Sequence, residues 1–264
     1  MKKVTIVMTY FERPAQLRRT LKSIAQTKYP NFEVIIVDDG SIEPASAGLA
    51  SFPITIIKAA TTGKGWQPPE PAYNRGLNFA MLGTPDVIIL QNAECYHVGD
   101  VISAAAQVTD DNYISFGCFS IDEQTTKRAH DITALVMAND FCASHDGQCA
   151  WYNHPQHRPV GYDFCSAITA KNMQKLNGYD ERFINGHGYG DDYLLARIKM
   201  LGLRVDITAT PFVVHQWHYN IPKPENKAEL MRHNKRLFDE LVELKQPRAQ
   251  RIVTENFKIT YAEN

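Results

Sequence analysis

The sequence predicts an α/β fold, in which a mixed sheet is flanked by helices. Short β-branched runs alternate with segments of helical periodicity through the first half of the chain, which is the pattern of an α/β sheet. Two of these runs end in polar clusters, such as Asp38-Asp39-Gly40-Ser41, as strands do when their carboxyl ends face a ligand. A long amphipathic pattern near the carboxyl terminus predicts a helical extension.

In the first half, each element follows from its local pattern. Leu17, Leu21 and Ile24 have the spacing of one helical face, and the runs that begin at Val4 and Phe32 are short and apolar. The segment 61–71 contains three prolines, which lack a backbone N–H group, so it is predicted to be irregular. The predicted strands are 4–8, 32–37, 54–57 and 87–90, and the predicted helices are 14–27 and 74–82.

The second half is less regular and ends in a long helix. The polar stretch 139–161 is predicted to be a loop of functional length. In the helix 227–244, Leu230, Leu237, Phe238 and Leu241 share the apolar side, and we interpret it as docked on the preceding domain rather than as partner-binding. We therefore divide the chain into a domain at 1–220 and a helical extension at 221–264. The remaining predicted elements are helices at 98–108, 170–176 and 192–201 and strands at 113–119, 205–207 and 212–214.

Composition excludes several classes of protein. With 264 residues, 44% of them apolar, the chain can form one large core or two modest ones. A formal net charge of -1 argues against a protein held to nucleic acid or a membrane surface mainly by charge. No apolar run reaches the roughly 18 residues of a membrane span, and the run after Met1 is too short for a secretory signal. The five cysteines are odd in number and lack C-x-x-C spacing, so we expect a cytoplasmic protein.

Carboxylates at predicted strand ends are the strongest local signal of a ligand site. Asp38 and Asp39 follow one apolar run directly, and Asn92-Ala93-Glu94 follows another. In an extended chain, alternation would place Asn92 and Glu94 on one side, where both could face a cation or a diphosphate. The alternative, that these are turn residues that cap the next helix, stays open at this point.

A second acidic group follows a glycine-rich segment. Asp191 and Asp192 open a predicted helix after Gly186-His187-Gly188-Tyr189-Gly190. An acid near a helix N-terminus is stabilising, but the glycines also allow a close approach to a ligand, beside which a carboxylate can act as a general base.

Histidines end a later predicted strand, in the sequence His215-Gln216-Trp217-His218. One imidazole combined with the carboxylate of Glu94 would leave open positions for diphosphate oxygens. Such a site suits Mn²⁺ or Mg²⁺ better than a closed structural zinc site.

Taken in order, these segments resemble the family-2 glycosyltransferases, which have the GT-A nucleotide-sugar fold, a Rossmann-like mixed sheet. Asn92-Ala93-Glu94 occupies the place of the Asp-x-Asp motif of that family. The segment 177–183, with Gly190-Asp191-Asp192 and Arg197, resembles the carboxyl-terminal portion of galactosyltransferases. The opening strand and loop (4–14), the segment 32–41 and Asn74-Arg75-Gly76 also resemble the family, so the likeness extends over about residues 3–218.

The resemblance implies a role for each matching residue. Asp39 would hydrogen-bond the uracil imide, and Arg75 would approach the nucleotide-sugar. Asp191, six residues before Arg197, would be the catalytic base, and Asp192 would help to hold the acceptor. The resemblance also implies metal binding by Glu94 and by a histidine near the end of the matched region, for which His215 is favoured over His218. The residues with an implied role in nucleotide binding are Thr9, Tyr10, Glu12 and Asn92.

The function implied is that of a metal-dependent inverting glycosyltransferase of the hexosyltransferase type. It would use Mn²⁺ or Mg²⁺ and a UDP-sugar donor, and its acceptor hydroxyl would belong to a glycan, a lipid-linked sugar, a protein side chain or a modified nucleobase. The segment 148–162 is expected to determine the acceptor.

Two alternative functions remain open at the sequence level. Glu12 stands where the family has Asn. Asn92 and Gly190 stand where the family has acids, and these two departures make a sugar-nucleotide-binding protein without transferase activity the main alternative. A nucleotidyltransferase would need a glycine-rich basic loop after the first strand, which Phe11-Glu12-Arg13-Pro14 does not supply.

Overall fold

A computed structural model describes residues 1–48, 50–59, 68–128, 150–219, 225–252 and 257–261. Within them, the strands form a mixed sheet in the order β10-β3-β2-β1-β4-β8-β6-β9-β5, with β7 paired to β6. The strands are β1 (Val4–Tyr10), β2 (Phe32–Asp38), β3 (Ile54–Ala59), β4 (Val87–Asn92), β5 (Cys95–Val98), β6 (Asn112–Ser120), β7 (Ala150–Asn153), β8 (Cys165–Thr169), β9 (Arg204–His215) and β10 (Phe257–Tyr261). The helices are α1 (Pro14–Ile24), α2 (Glu70–Leu82), α3 (Val101–Ala105), α4 (Glu123–Arg128), α5 (Ala170–Leu176), α6 (Gly190–Met200) and α7 (Lys227–Glu243), with a 3-10 helix at Glu181–Asn185.

The first half of the sheet is parallel and buried on both faces. β1 pairs in parallel with both β2 and β4, and β2 with β3. Alternate residues of β1 therefore enter opposite cores: Ile6 packs in the core that includes Leu17 of α1, and Val7 in the core that includes Leu77 of α2. This two-sided burial explains why these strands are continuous apolar runs.

The second half of the sheet mixes directions. β8 runs antiparallel to β4, and β9 runs parallel to β6 and antiparallel to β5. The two strands predicted at 205–207 and 212–214 are one strand, β9. Its register with β6 shifts between Phe116 and Gly117, so residues between Thr208 and Phe212 have no partner on β6.

Two boundary predictions were wrong for identifiable reasons. α2 begins at Glu70, four residues before the predicted start, because Pro71 lies in its first turn, where a missing N–H is harmless. Residues 150–153 of the predicted loop 139–161 form β7, and residues 139–149 lie outside the described residues.

The segment after residue 220 contains both helix and strand. α7 packs through Leu241 against Phe183 and Tyr193, which agrees with its interpretation as a docked helix. β10 pairs antiparallel with β3 at the edge of the sheet, so the extension is not purely helical.

Within the described part of the chain, every helix is too short or too polar to cross a membrane.

Candidate functional site

Glu94, His215 and His218 form a candidate metal site. Nε2 of His215 lies 3.1 Å, and Nε2 of His218 lies 3.6 Å, from the same oxygen of Glu94, Oε1. One ligand atom from each of the three residues lies within 4.8 Å of the others, and the described residues contain no second such group. The sheet brings them together, since His215 at the end of β9 is in register with Cys95, which follows Glu94.

This group of donors fits a divalent transition-metal ion. It combines one carboxylate with two imidazoles, a mixture that suits Mn²⁺ better than Mg²⁺, which prefers oxygen ligands. The sequence had favoured His215 over His218, but the structure brings both rings to Glu94.

Arg13 holds the second carboxylate oxygen of Glu94. Its Nη1 lies 2.6 Å from Oε2, and the Glu94 side chain is 1% exposed. Burial alone would raise the pKa of Glu94, but the charge of Arg13 and the contacts with His215 and His218 hold that pKa well below its ordinary value. Glu94 is therefore ionised, with one oxygen oriented by Arg13 and the other directed toward the imidazoles.

The alternation argument for Asn92 and Glu94 was wrong. The chain is not extended there, because residues 93 and 94 form the turn between β4 and β5. Asn92 instead accepts a hydrogen bond of 2.9 Å from the hydroxyl of Tyr73, whereas Glu94 meets Arg13 and the histidines.

The two acids at the end of β2 have different surroundings. Asp38 is 2% exposed and accepts hydrogen bonds from the backbone N–H groups of Ser41 and Ala45, so it shapes the loop that follows. The side chain of Asp39 is 15% exposed, and its Oδ1 lies 3.9 Å from Nη1 of Arg75. Asp39 and Arg75, both assigned to the nucleotide by the resemblance, are thus neighbours.

Tyr10 and Glu12 are engaged in the fold. The Tyr10 side chain is buried, and its hydroxyl donates to the carbonyl of Glu43 at 2.8 Å. The Glu12 carboxylate accepts from the backbone N–H groups of Ile42 and Glu43, and so ties the β1 loop to the β2 loop. A bound nucleotide could therefore contact the backbone of Tyr10 but not its side chain.

Asp191 lies in the first turn of α6 and is exposed. Desolvation of its carboxyl, and then the like charges of Asp163, Glu70 and Asp192, raises the pKa of Asp191 well above its ordinary value. Asp192 accepts a hydrogen bond of 2.6 Å from the hydroxyl of Tyr162. The two acids thus differ in their contacts, since the carboxyl of Asp192 is fixed by Tyr162.

Tyr73 of α2 connects the two acidic regions. Its hydroxyl bonds Asn92 and its ring stacks on Tyr179, with 4.7 Å between centroids. Burial, and then the charges of Asp163, Glu94 and Asp191, raises the pKa of Tyr73 well above its ordinary value. On the same helix, Glu70 lies against Gly190, directly before Asp191, so α2 contacts both acidic regions.

The glycine-rich segment before Asp191 is held by residues that the sequence analysis did not identify. Asn234 of α7 is fully buried and donates to the carbonyls of Phe183 and Gly188, at 2.9 and 2.7 Å. A Cβ at Gly186 would lie 2.0 Å from Oδ1 of Asn234. The sequence does contain a signal of this buried contact, because Asn234 is a polar residue at the helical spacing of the apolar side of α7.

Comparison with known proteins identifies the family. The model of "Glycosyl transferase family 2" matches residues 5–166, more than half of the chain. The "O-antigen biosynthesis protein RfbC" of Myxococcus xanthus is 25% identical in an alignment of 231 positions that covers 81% of this chain and 17% of that protein. The chain therefore spans less than a fifth of that relative's length.

Solved structures share the fold at low sequence identity. TarS 1-349 of S. aureus in complex with UDP-GlcNAc has a TM-score of 0.58 at 12% identity, over 88% of this chain and 65% of that one. The mannosyltransferase PcManGT of Pyrobaculum calidifontis, in complex with GDP-Man and Mn²⁺, has a TM-score of 0.51 at 15% identity, over 92% and 64%. These likenesses confirm the expected GT-A fold. With the family model covering most of the sheet, the chain belongs to glycosyl transferase family 2.

Proposed function

We propose that this chain is a metal-dependent inverting glycosyltransferase that moves a sugar from a UDP-sugar to an acceptor hydroxyl. The observation behind the proposal is that α2 contacts the neighbourhoods of two chemically different centres, through Tyr73 on one side and Glu70 on the other. One is the Glu94, His215 and His218 group, and the other contains Asp191. Transfer requires both, because the leaving diphosphate gains negative charge while the attacking hydroxyl loses a proton.

The donor end of the site extends from Asp39 to the metal group. Asp39 can accept a hydrogen bond from the uracil imide, and Arg75 beside it supplies positive charge for the nucleotide-sugar. A divalent ion held by Glu94, His215 and His218 would neutralise charge on the diphosphate. TarS, whose structure contains UDP-GlcNAc, and PcManGT, whose structure contains Mn²⁺, support a nucleotide-sugar and a metal in this fold.

At the other end, Asp191 is the proposed general base. Its raised pKa makes its carboxylate a better proton acceptor than an ordinary aspartate. It would remove the proton of the acceptor hydroxyl as the oxygen attacks the anomeric carbon and the bond to the diphosphate breaks. A single displacement inverts that carbon.

Asp192 and the segment beside it are proposed to hold the acceptor. Tyr162, which orients Asp192, belongs to the segment 148–162 that the sequence analysis assigned to the acceptor. Residues 148 and 149 lie outside the described residues.

Replacement of Asp191 by Asn tests the assignment of the base. We expect transfer to fall by a factor of about 1,000 or more, with UDP affinity in the presence of Mn²⁺ unchanged within about twofold. Release of UDP from a panel of UDP-sugars measures turnover, and calorimetry measures binding. Asp239→Asn, at an exposed acid of α7, is the control and should retain both. Retained turnover in Asp191→Asn would remove the assignment.

The same measurements distinguish a glycosyltransferase from the alternative, a protein that binds sugar nucleotides without transferring the sugar. If the unaltered protein binds UDP with Mn²⁺ but releases none from the donor panel with any acceptor offered, it is a sugar-nucleotide-binding protein.

A further inference from the structure

Glu70, the first residue of α2, carries a buried carboxyl group with an unsatisfied oxygen. The residue is 6% exposed, and within the described residues its Oε2 has no hydrogen-bond partner. Burying a polar atom without a partner costs free energy. A group that opposes folding in this way, close to a proposed catalytic residue, points to a partner that arrives with the substrate.

Gly190 makes room for this carboxyl group. A Cβ at position 190 would lie 2.0 Å from Oε1 of Glu70, and the next two nearest atoms, at 3.0 and 3.5 Å, also belong to Glu70. Gly190 is the first residue of α6, and its backbone does not need the positive φ that favours glycine. The reason for glycine at 190 is therefore space, and Glu70 occupies that space directly before Asp191.

We propose that Glu70 binds a hydroxyl group of the transferred sugar, an inference that rests on the glycosyltransferase function proposed above. Glu70 and Arg75 are five residues apart on one helix, about 7.5 Å along its axis. Arg75 lies beside Asp39 at the nucleotide end, and Glu70 lies beside Gly190 at the base end. The sugar must span these two ends, because its anomeric carbon is attached to the diphosphate and is attacked from the base side.

The chemistry of Glu70 favours a hydroxyl as its ligand. Burial, and then the charges of Asp163, Asp180 and Glu181, raises the pKa of Glu70 to about 7, so both protonation states are populated near neutrality. A hydroxyl can donate to the ionised carboxylate and accept from the neutral acid, so it serves both states. Among the described residues, the acids around Glu70 form no group of three close enough to hold a metal ion.

The first experiment compares the binding of UDP with that of UDP-sugars. Calorimetry with Mn²⁺ is run with UDP, UDP-glucose, UDP-galactose and UDP-GlcNAc on the unaltered protein, Glu70→Ala and Glu70→Gln. We expect UDP affinity to change less than twofold in both variants. Affinity for the preferred UDP-sugar should fall about tenfold or more in Glu70→Ala, as expected for loss of a buried hydrogen-bond partner, and less in Glu70→Gln, which keeps hydrogen-bonding atoms.

Asp239→Asn is the matched control, because Asp239 is an exposed acid of α7 whose printed ion-pair partner is Lys235, one turn away on the same helix. If Glu70→Ala kept the full difference in affinity between UDP and the preferred UDP-sugar, the inference would be wrong. If the unaltered protein bound neither UDP nor any UDP-sugar, the proposed function itself would be contradicted.

A second experiment tests the fit between Glu70 and Gly190 without a ligand. Gly190→Ala should lower the melting temperature, because its new methyl group overlaps the Glu70 carboxyl. Adding Glu70→Ala to that variant should restore the melting temperature, since the carboxyl is then absent. Failure of this rescue would contradict the spatial argument, and a loss of stability in Glu70→Ala alone would indicate a structural role.

Discussion

At the scale of single residues, the acids around Asp191 decide its protonation. Asp163 contributes the largest of the like charges that raise the pKa of Asp191, ahead of Glu70 and Asp192. The Tyr179 hydroxyl donates a hydrogen bond to the buried carboxyl of Asp163 and holds it in place. Since a base must be ionised to accept a proton, activity should be lost as the pH falls through the raised pKa of Asp191.

Asp163→Asn should shift the acidic limb of the pH–activity profile, where activity is lost as the pH falls, to lower pH. The substitution removes a like charge and lowers the pKa of Asp191, so the base stays ionised in more acidic solution. The pH dependence of kcat/KM for donor turnover measures it. Asp239→Asn should leave the limb where it is, and an unchanged limb in Asp163→Asn would argue against Asp191 as the titrating base.

Glu70 should make folding stability depend on pH. Its pKa is about 7 in the folded protein against an ordinary value of 4.5, so the folded state binds the proton more tightly. The contribution of Glu70 to stability is therefore fully present below about pH 4.5 and decreases by about 3 kcal/mol as the pH rises to about 7. Urea denaturation of Glu70→Gln should show a smaller fall over this range than the unaltered protein. An equal loss of stability in the two proteins over this pH range would contradict the burial of an unpaired carboxyl group at Glu70.

At the scale of elements, α7 acts on the catalytic helix through the loop before it. Asn234 holds the carbonyls of Phe183 and Gly188, and the carbonyl of Leu230 accepts from the backbone N–H of His187 at 3.3 Å. The helix thus fixes the glycine-rich segment from which α6 and Asp191 begin. Glycine alone would leave this segment free to adopt many backbone conformations.

Asn234→Ala should lower both stability and turnover but leave the affinity for UDP unchanged. Two buried carbonyls lose their donor, which costs about 2–3 kcal/mol in the free energy of unfolding. Because Asp191 is then less well positioned, kcat should fall, with UDP affinity unchanged. His233→Ala, the exposed neighbour on the same helix, is the control and should retain both values. An unchanged kcat in a folded Asn234→Ala variant would show that α7 does not position the base.

At the scale of the whole molecule, the candidate site joins distant parts of the sheet. Arg13 follows β1, Glu94 lies between β4 and β5, and His215 ends β9. A ligand that contacts all of them binds the folded chain and not the unfolded one, so it must stabilise the fold.

UDP and Mn²⁺ together should therefore raise the melting temperature. At a concentration of 100 times the dissociation constant, the gain is about 2.7 kcal/mol, or roughly 5–10 °C for a domain of this size. Differential scanning calorimetry measures it. His215→Ala should lose the part of the shift that depends on Mn²⁺, and His233→Ala should keep it. An equal Mn²⁺-dependent shift in His215→Ala would remove His215 from the metal site.

Elements whose cause is local could be predicted from the amino-acid sequence. The buried strands β1, β2 and β4 are apolar runs, and α1 has an apolar face at helical spacing, so each could be predicted from a few neighbouring residues. The turn acids Asp39, Glu94 and Asp191 followed from the same reasoning. β5 and β10 were missed because pairing with β9 and β3, rather than local pattern, makes them strands.

Tertiary structure alone decided which side chains meet. Oε1 of Glu70 fills the space left by Gly190, 120 positions later, and Arg13 reaches Glu94 across 81 positions. Two histidines rather than one face Glu94, and Asn234 holds a segment that precedes it by about 46 residues. Periodicity cannot encode such contacts, since they depend on how the helices pack on the folded sheet and on the distances between side chains that this packing sets.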